Sequence, residues 1–510
     1  MTDKSRQLFG RRRWDRCSHA KTLLALPVAA IIVALALARG WAPVSARRSV
    51  ARAYAEHRAA LDAINGEDIM AEIGELSSPA YEGRLAGSTG GRRAAAYIAS
   101  QFAAMGLKPL FGDSYYQEFT IPYSHPLDEP TAVLYDRLGR VVGRLKYGQD
   151  IAYSLWSDSA AAERAPVVFV GSWDRIAAAG DLSGVVALAL RPPDEAGMAF
   201  SWLYEALERA RAAGAQALLA ADFDRATLTA LWDVDAYVPG IALIGLGSAA
   251  TDLLLQGTGH DSAAWKAELQ AAAKDGRAFA PIDTGLKLSL RWTIANDSRR
   301  GARNVVAVIP GRNGLAAGRC LLLTAHYDHL GAVPGGPVWP GAWDNASGVA
   351  VMLAAARALA AARPELTVIV AAWDAEERGL VGSAHFAANL PLPAERISAV
   401  INLDCVGTRF AIRLERNRAG PLTCRLRSAA AQFAIAVEEA PVQPWSDAAS
   451  FTHLPGVEAI QIFDAGNPYQ VPFLHDPSDT IANLNADSLA RLARAVALAI
   501  AAQGGSGGAR

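Results

Sequence analysis

The sequence predicts an α/β protein: a mixed, mostly parallel central sheet flanked by helices, interrupted by a smaller β-rich insertion. Three observations carry this. Apolar runs of strand length at Cys320–Ala325, Leu366–Trp373 and Ile397–Leu403 are continuous rather than alternating, as in strands covered on both faces. Ala-rich or amphipathic stretches of helix length, Asn345–Ala361 and Ala486–Ala502, fall between and after them. Residues 124–285 have another texture, with short apolar runs separated by turns.

The chain has 510 residues, and at roughly 100–200 residues per domain two domains plus extras are expected. With 52% hydrophobic and 19% charged residues it can bury a large core. Its 49 basic and 50 acidic residues leave a net charge of -1, which excludes the basic surplus of a nucleic-acid binder. Cys17, Cys320, Cys405 and Cys424 form neither a disulfide scaffold nor a cysteine-rich zinc module.

In chain order, residues 1–48 come first. Lys4, Arg6, Arg11, Arg12, Arg13, Arg16 and Lys21 precede the uncharged run Thr22–Ala38. Positive charge before an apolar run is an export signal or an uncleaved anchor. Val44-Ser45-Ala46 offers a small-x-small cleavage site. Either reading puts the bulk of the chain outside the cytoplasm, membrane-anchored or secreted.

Residues 49–123 read as a helical linker and the first part of the main domain. Leu76–Gly91 is an irregular loop dense in Gly and Ser, Arg92–Met105 a helix closed by Gly106, and Tyr115–Pro122 a strand. Residues 124–285 hold the inserted unit: strands at Ala165–Gly171, Gly184–Leu190, Ala217–Ala220 and Gly240–Ile244, and one helix, Trp202–Ala213. It contains no cluster of His, Cys or paired acids, so either a binding or lid role or an inert spacer is expected of it rather than chemistry.

From residue 286 to 503 the strand–helix rhythm takes over, with further strands at Asn304–Ile309 and Glu458–Phe463 and helices at Gly379–Asn389 and Cys424–Glu438. Residues 504–510 form a tail that is disordered on composition. In this part the strands end in acid or imidazole: His326 and Asp328 after one, Asp374, Glu376 and Glu377 after another, Asp404 after a third. Asp344 sits at a helix start, and His475 and Asp476 near the end. Each alone has a bland explanation, such as a helix cap or a solvated turn. Together, at the strand ends where open α/β sheets place their chemistry, they form the His/Asp/Glu set that a pair of zinc ions requires, including a bridging carboxylate and one acid kept off the metals.

The stretches Ala325–Gly331, Gly341–Gly348, Glu376-Glu377, Asn402–Gly407 and His475–Thr480 resemble peptidase family M28, the co-catalytic zinc aminopeptidases and carboxypeptidases with the zinc exopeptidase fold. Asp181–Leu188, Ala212–Ala217 and Val238–Ala242 resemble the protease-associated domain that many members carry as an insertion. The resemblance implies two zinc ions per chain: one held by His326, Asp344 and Asp404, the other by Asp344, Glu377 and His475. It makes Asp344 the bridge, Glu376 the general base and later acid, and Asp328 the partner that orients His326. It also implies a cis peptide bond after Asp344, a peptide substrate, and an aminopeptidase. A carboxypeptidase or dipeptidase, a single-zinc acyltransferase like glutaminyl cyclase, and a non-catalytic receptor-like homologue are the alternatives.

The chain departs from the pattern in three places. Ser446-Asp447-Ala448 stands where Ser-Asp-His is common, Cys405 where methionine is, and Asp476 where threonine is. Tyr469 is a candidate oxyanion donor. His329 and His453 read as structural or surface residues, and His385 as an ordinary helix residue.

Overall fold

The computed structural model describes residues 43–153, 158–192, 200–223, 239–312, 318–332, 336–466 and 471–504. The N-terminal apolar run, Tyr469 and the end of the C-terminal tail lie outside the described residues.

The strands, in chain order, are β1 (Lys108–Pro109), β2 (Tyr116–Pro126), β3 (Thr131–Tyr135), β4 (Val141–Leu145), β5 (Ile151–Tyr153), β6 (Ala160–Ser172), β7 (Val186–Leu190), β8 (Ala217–Phe223), β9 (Ala242–Gly247), β10 (Ile282–Trp292) and β11 (Ile294–Ile309). They continue with β12 (Cys320–His326), β13 (Thr367–Trp373), β14 (Ile397–Leu403), β15 (Ala411–Arg416), β16 (Ala436–Pro441) and β17 (Glu458–Asp464). The helices are α1 (Val44–Asp62), α2 (Gly66–Leu76), α3 (Thr89–Ala104), α4 (Phe200–Ala212), α5 (Ser248–Leu255), α6 (Ser262–Lys274), α7 (Ser347–Ala362), α8 (Val381–Ala388), α9 (Pro421–Gln432) and α10 (Ala486–Ala501).

The strands form two sheets. The larger runs β1-β11-β13-β12-β14-β17-β15-β16, with β2 also paired to β11. Its centre is parallel: β13 with β12, β12 with β14, and β14 with β17. The flanks β2–β11, β11–β13 and β15–β17 are antiparallel. Every residue of β12, β13 and β17 is buried, and each buried Val, Leu or Ile there contributes about 1.5–3 kcal/mol. α7 lies on one face. Its small side chains Ala350, Ala354, Ala355 and Ala358 are buried, which lets the helix approach the sheet and α10 closely. Arg363 ends it in the left-handed region, just before Pro364.

The second sheet has the order β4-β3-β10-β6-β7-β8-β9-β5, with β6 to β9 parallel. It is more helical than composition suggested, since α5 and α6 follow β9. It begins at Thr131 and ends at Trp292, so the return to the larger sheet falls at Thr293 rather than after residue 285. The reason is that β10 passes through two register shifts and stays paired to β6 as far as Trp292. Both crossings meet at one point, where Thr293 donates from its N–H and its Oγ1 to the Asp128 carboxylate, at 3.3 and 3.0 Å.

The stretch expected to be one helix over Cys424–Glu438 divides into α9 and β16. Phe433 leaves the helix, and Ala434 takes a positive φ of 55°. Ala436–Pro441 can then pair with β15. The start of α9 is held from outside, by the Glu458 carboxylate accepting the N–H groups of Leu422 and Thr423 at 3.0 and 2.6 Å.

Candidate metal centre

Because β13, β12 and β14 run parallel and side by side, their C-terminal ends share one edge. β12 delivers His326, the turn after β13 delivers Glu376 and Glu377, and the residue after β14 is Asp404. Asp344 comes from the tight turn Ala342–Ala346 that opens α7, and His475 from the segment between β17 and α10.

The site has two halves that meet at Asp344. His326 Nε2 lies 3.3 Å from Asp344 Oδ1 and 3.2 Å from Asp404 Oδ1. His475 Nε2 lies 3.1 Å from Asp344 Oδ2 and 3.3 Å from Glu377 Oε2. Asp344 thus presents one oxygen to each half. Glu376 stands apart: its Oε2 is 4.0 Å from His326 Nε2, and its side chain is 14% exposed against 5% for Asp344.

The turn carrying Asp344 is held on every side. Asp479 accepts the N–H groups of Trp343 and Asp344 at 2.8 and 3.0 Å. Asn345 donates to Leu403 O at 2.9 Å and accepts from Gly348 N at 3.0 Å. Trp343 Nε1 donates to Asp464 at 3.1 Å. The Asp344–Asn345 peptide bond is cis, as the resemblance implies.

Asp328 lies 3.6 Å from His326 Nδ1, beyond ordinary hydrogen bonding. Its carboxylate accepts the backbone N–H groups of Glu376 and Glu377, at 3.0 and 3.3 Å. His329, read from the sequence as structural or surface, is fully buried, and its Nδ1 lies 2.9 Å from Glu377 Oε1. His385 is a helix residue stacked on Phe119.

Two further residues were not picked out as site residues from the sequence. Arg84, in the Gly/Ser loop before α3, is fully buried. It donates to Tyr327 O, Leu76 O, Pro340 O and Gly341 O at 2.8, 2.9, 2.7 and 2.8 Å. Burial draws its guanidinium down to about 10, so it stays charged at neutral pH. Asp447 is buried, neither carboxylate oxygen meets a partner at ordinary hydrogen-bond distance among the described residues, and burial pushes it up to about 7. Nothing local marks Arg84. Asp447 had a weak signal in Ser446-Asp447-Ala448.

The electrostatics follow from packing acids and imidazoles together out of water. Burial alone would lower His326 and His475. The carboxylates of Glu376 and Asp404 around the first, and Glu377 and Asp344 around the second, outweigh it and hold both well above the usual imidazole range. Burial would raise Asp344 and Glu377, but their imidazole partners hold Asp344 well below the carboxylate range and Glu377 at about 2. Glu376 is raised by burial and by Glu377, against the pull of His326.

The donor set fits zinc. Ligand atoms of His326, Asp344 and Asp404 lie within 4.8 Å of one another, as do those of His329, Asp344 and Glu377. Separations of 3.1–3.3 Å match the roughly 3.4 Å between two ligand atoms of a tetrahedral shell with zinc bonds of about 2.0–2.2 Å. Carboxylates gathered in a buried cluster also require compensating positive charge.

Residues 304–500 match the profile of Peptidase family M28. The chain is 25% identical over 395 residues to the aminopeptidase YwaD of Bacillus subtilis, covering 76% of this chain and 72% of that one. It is 36% identical over 124 residues to a probable zinc metalloprotease of Leptosphaeria maculans, 24% of this chain and 28% of the relative's length. In fold it resembles the Peptidase M28 precursor of Shewanella amazonensis, at 19% identity and a TM-score of 0.60, over 90% of this chain and 97% of that one. Fold and side chains together define the class, a zinc metallopeptidase and hence a hydrolase. The match to peptidase family M28 runs through residues 304–500 of the chain.

Proposed function

We propose that the protein is an extracytoplasmic exopeptidase using two zinc ions, an aminopeptidase that releases N-terminal residues from peptides. One observation carries the two-metal reading: the Asp344 carboxylate gives Oδ1 to the His326 half and Oδ2 to the His475 half. His326, Asp344 and Asp404 would hold one ion, and Asp344, Glu377 and His475 the other. Zinc in that position supplies Lewis acidity and lowers the pKa of water.

The chain's own residues would do the rest. Glu377 is engaged on both oxygens, whereas Glu376 is 4.0 Å from the nearest imidazole and more open. It is therefore free to take a proton from water and return it to the leaving amine. The shared grip of Asp328 on the two backbone N–H groups sets the neighbouring side chains to these separate tasks. The likeness to the aminopeptidase YwaD supports an aminopeptidase. The basic flank before Thr22–Ala38 supports a signal or anchor, with the enzyme at a membrane surface or secreted.

The second sheet, read as a protease-associated domain, would border the substrate approach. Tyr147, beside β5, packs edge-on to Trp339, on the loop leading to Asp344, with ring centroids 6.1 Å apart.

The test joins metal counting to a panel of dipeptides with free and blocked termini. Two zincs per chain, with turnover only of substrates bearing a free amine, is the expected result. Turnover of N-blocked dipeptides makes it a carboxypeptidase, and turnover only when both termini are free makes it a dipeptidase. One zinc with cyclisation of N-terminal glutamine points to a glutaminyl-cyclase-like acyltransferase. Metal without turnover on any substrate indicates a receptor-like homologue.

A further inference from the structure

The Glu377 carboxylate is gripped from both sides by imidazoles. His475 Nε2 approaches Oε2 at 3.3 Å, and His329 Nδ1 approaches Oε1 at 2.9 Å. The two rings lie 6.0 Å apart. The resemblance gives His475 a place and leaves His329 without one.

The position of the His329 ring is built from several segments. Its backbone N–H donates to Arg84 O at 3.3 Å, and its neighbourhood bridges to Leu85. Space for the ring depends on Gly341, where a Cβ would come within 2.5 Å of His329 Cδ2. Of the two ring nitrogens, Nδ1 faces Glu377 and is 3.9 Å from Asp344 Oδ2, too far for a hydrogen bond. Nε2 meets no hydrogen-bond partner among the described residues.

We propose that His329 is a positioning residue for the second cation. Its Nδ1–H donates to Glu377 Oε1, so that only Oε2 is left to join Asp344 Oδ2 and His475 Nε2 around that ion. In this tautomer the unpartnered Nε2 is a lone pair rather than a stranded buried N–H. The reverse tautomer would set an acceptor against a carboxylate oxygen at 2.9 Å, lone pair against lone pair. Residues that hydrogen-bond a metal-bound carboxylate tune affinity without touching the ion, and losing one typically costs 10–100-fold. The consequence is an asymmetric pair of sites. Among the described residues no third imidazole contacts Asp404, so only the second ion depends on a histidine beyond its own ligands. This inference rests on the two-zinc reading above.

The test uses the full chain and compares His329→Asn with His329→Leu. The two replacements have nearly the same shape, but only Asn can present an N–H near the place of Nδ1. Zinc stoichiometry and affinity are measured by equilibrium dialysis with metal counting, and folding is followed by circular dichroism. Wild type should bind two zincs. His329→Leu should keep one at wild-type affinity and bind the other 10–100-fold more weakly, and His329→Asn should recover most of that loss. Two zincs bound by His329→Leu as tightly as by wild type would overturn the positioning role alone. Equal loss in both variants would overturn it in favour of direct ligation or packing. A wild type with fewer than two zincs would remove the two-metal reading, and this inference with it.

Discussion

Asp479 holds Asp344 by its backbone, not by its side chain: the Asp479 carboxylate accepts the N–H groups of Trp343 and Asp344 at 2.8 and 3.0 Å. Asp344 is thereby aimed from behind, and both its side-chain oxygens stay available to the two halves of the site. Asp479 is fully buried. Asp479→Ala should strand two buried N–H groups and destabilise the fold by about 2–6 kcal/mol, at about 1–3 kcal/mol per unsatisfied group. On the proposed two-zinc reading it should also weaken both ions. Urea unfolding and metal counting check the two effects, and a variant that loses stability but keeps both metals at full affinity would contradict the aiming role.

On the same two-zinc proposal, Glu376→Gln should retain both ions and lose activity by about 10²–10⁴-fold, the usual share of a general acid–base group. Glu377→Gln should instead lose one zinc. The two side chains are neighbours in sequence, but Glu377 is engaged on both oxygens and Glu376 on neither at hydrogen-bond distance. Metal content and turnover measured on both variants decide it, and a reversed outcome exchanges their roles.

Arg84→Met should be among the most destabilising substitutions in the main domain. It removes donors from four carbonyls, two of them in the Pro340–Gly341 stretch that leads into Asp344. A loss of at least about 3 kcal/mol is expected, on the scale of breaking a buried charged network. Arg84→Lys should recover only part of it, because an ammonium cannot span four acceptors in the guanidinium's fork. Chemical denaturation of the metal-free chain measures both, and equal stability of Arg84→Met and wild type would refute the clamp.

Zinc binding should release protons. Carboxylates hold His326 and His475 above the usual imidazole range in the metal-free chain, despite burial. Below those raised values the rings carry protons, and a metal can bind only after displacing them. Affinity should therefore fall as pH falls and rise through neutrality. Calorimetry in buffers of different ionisation enthalpy reads the number of protons released, and a binding heat independent of buffer would contradict this.

How much was legible in the sequence follows the range of each interaction. The strand ends carrying His326, Glu376, Glu377 and Asp404 could be read because a fully buried strand is a local apolar run, and the residue that ends it is the first free to be polar. The α9–β16 break was not legible. Ala436–Pro441 has no strand period of its own, with no residue fully buried, and it becomes a strand only because β15 offers an edge. The helices α5 and α6 were missed for a related reason: α5 is only eight residues long, and the Ala-rich sequence of α6 hides the face that it buries.

The sequence by itself determined the α/β class, the positions of the acids and imidazoles along the chain, and the family resemblance, since these depend on residue type and spacing. Tertiary structure decided which side chains meet. Arg84 reaches Tyr327 across 243 residues, and Asp479 reaches Asp344 across 135. His329 differs from His326 by three positions, yet Glu377, not the strand, decides what it does. Such contacts carry no local period, and they exist only once parallel strands have brought their ends to one edge and excluded water from the groups gathered there.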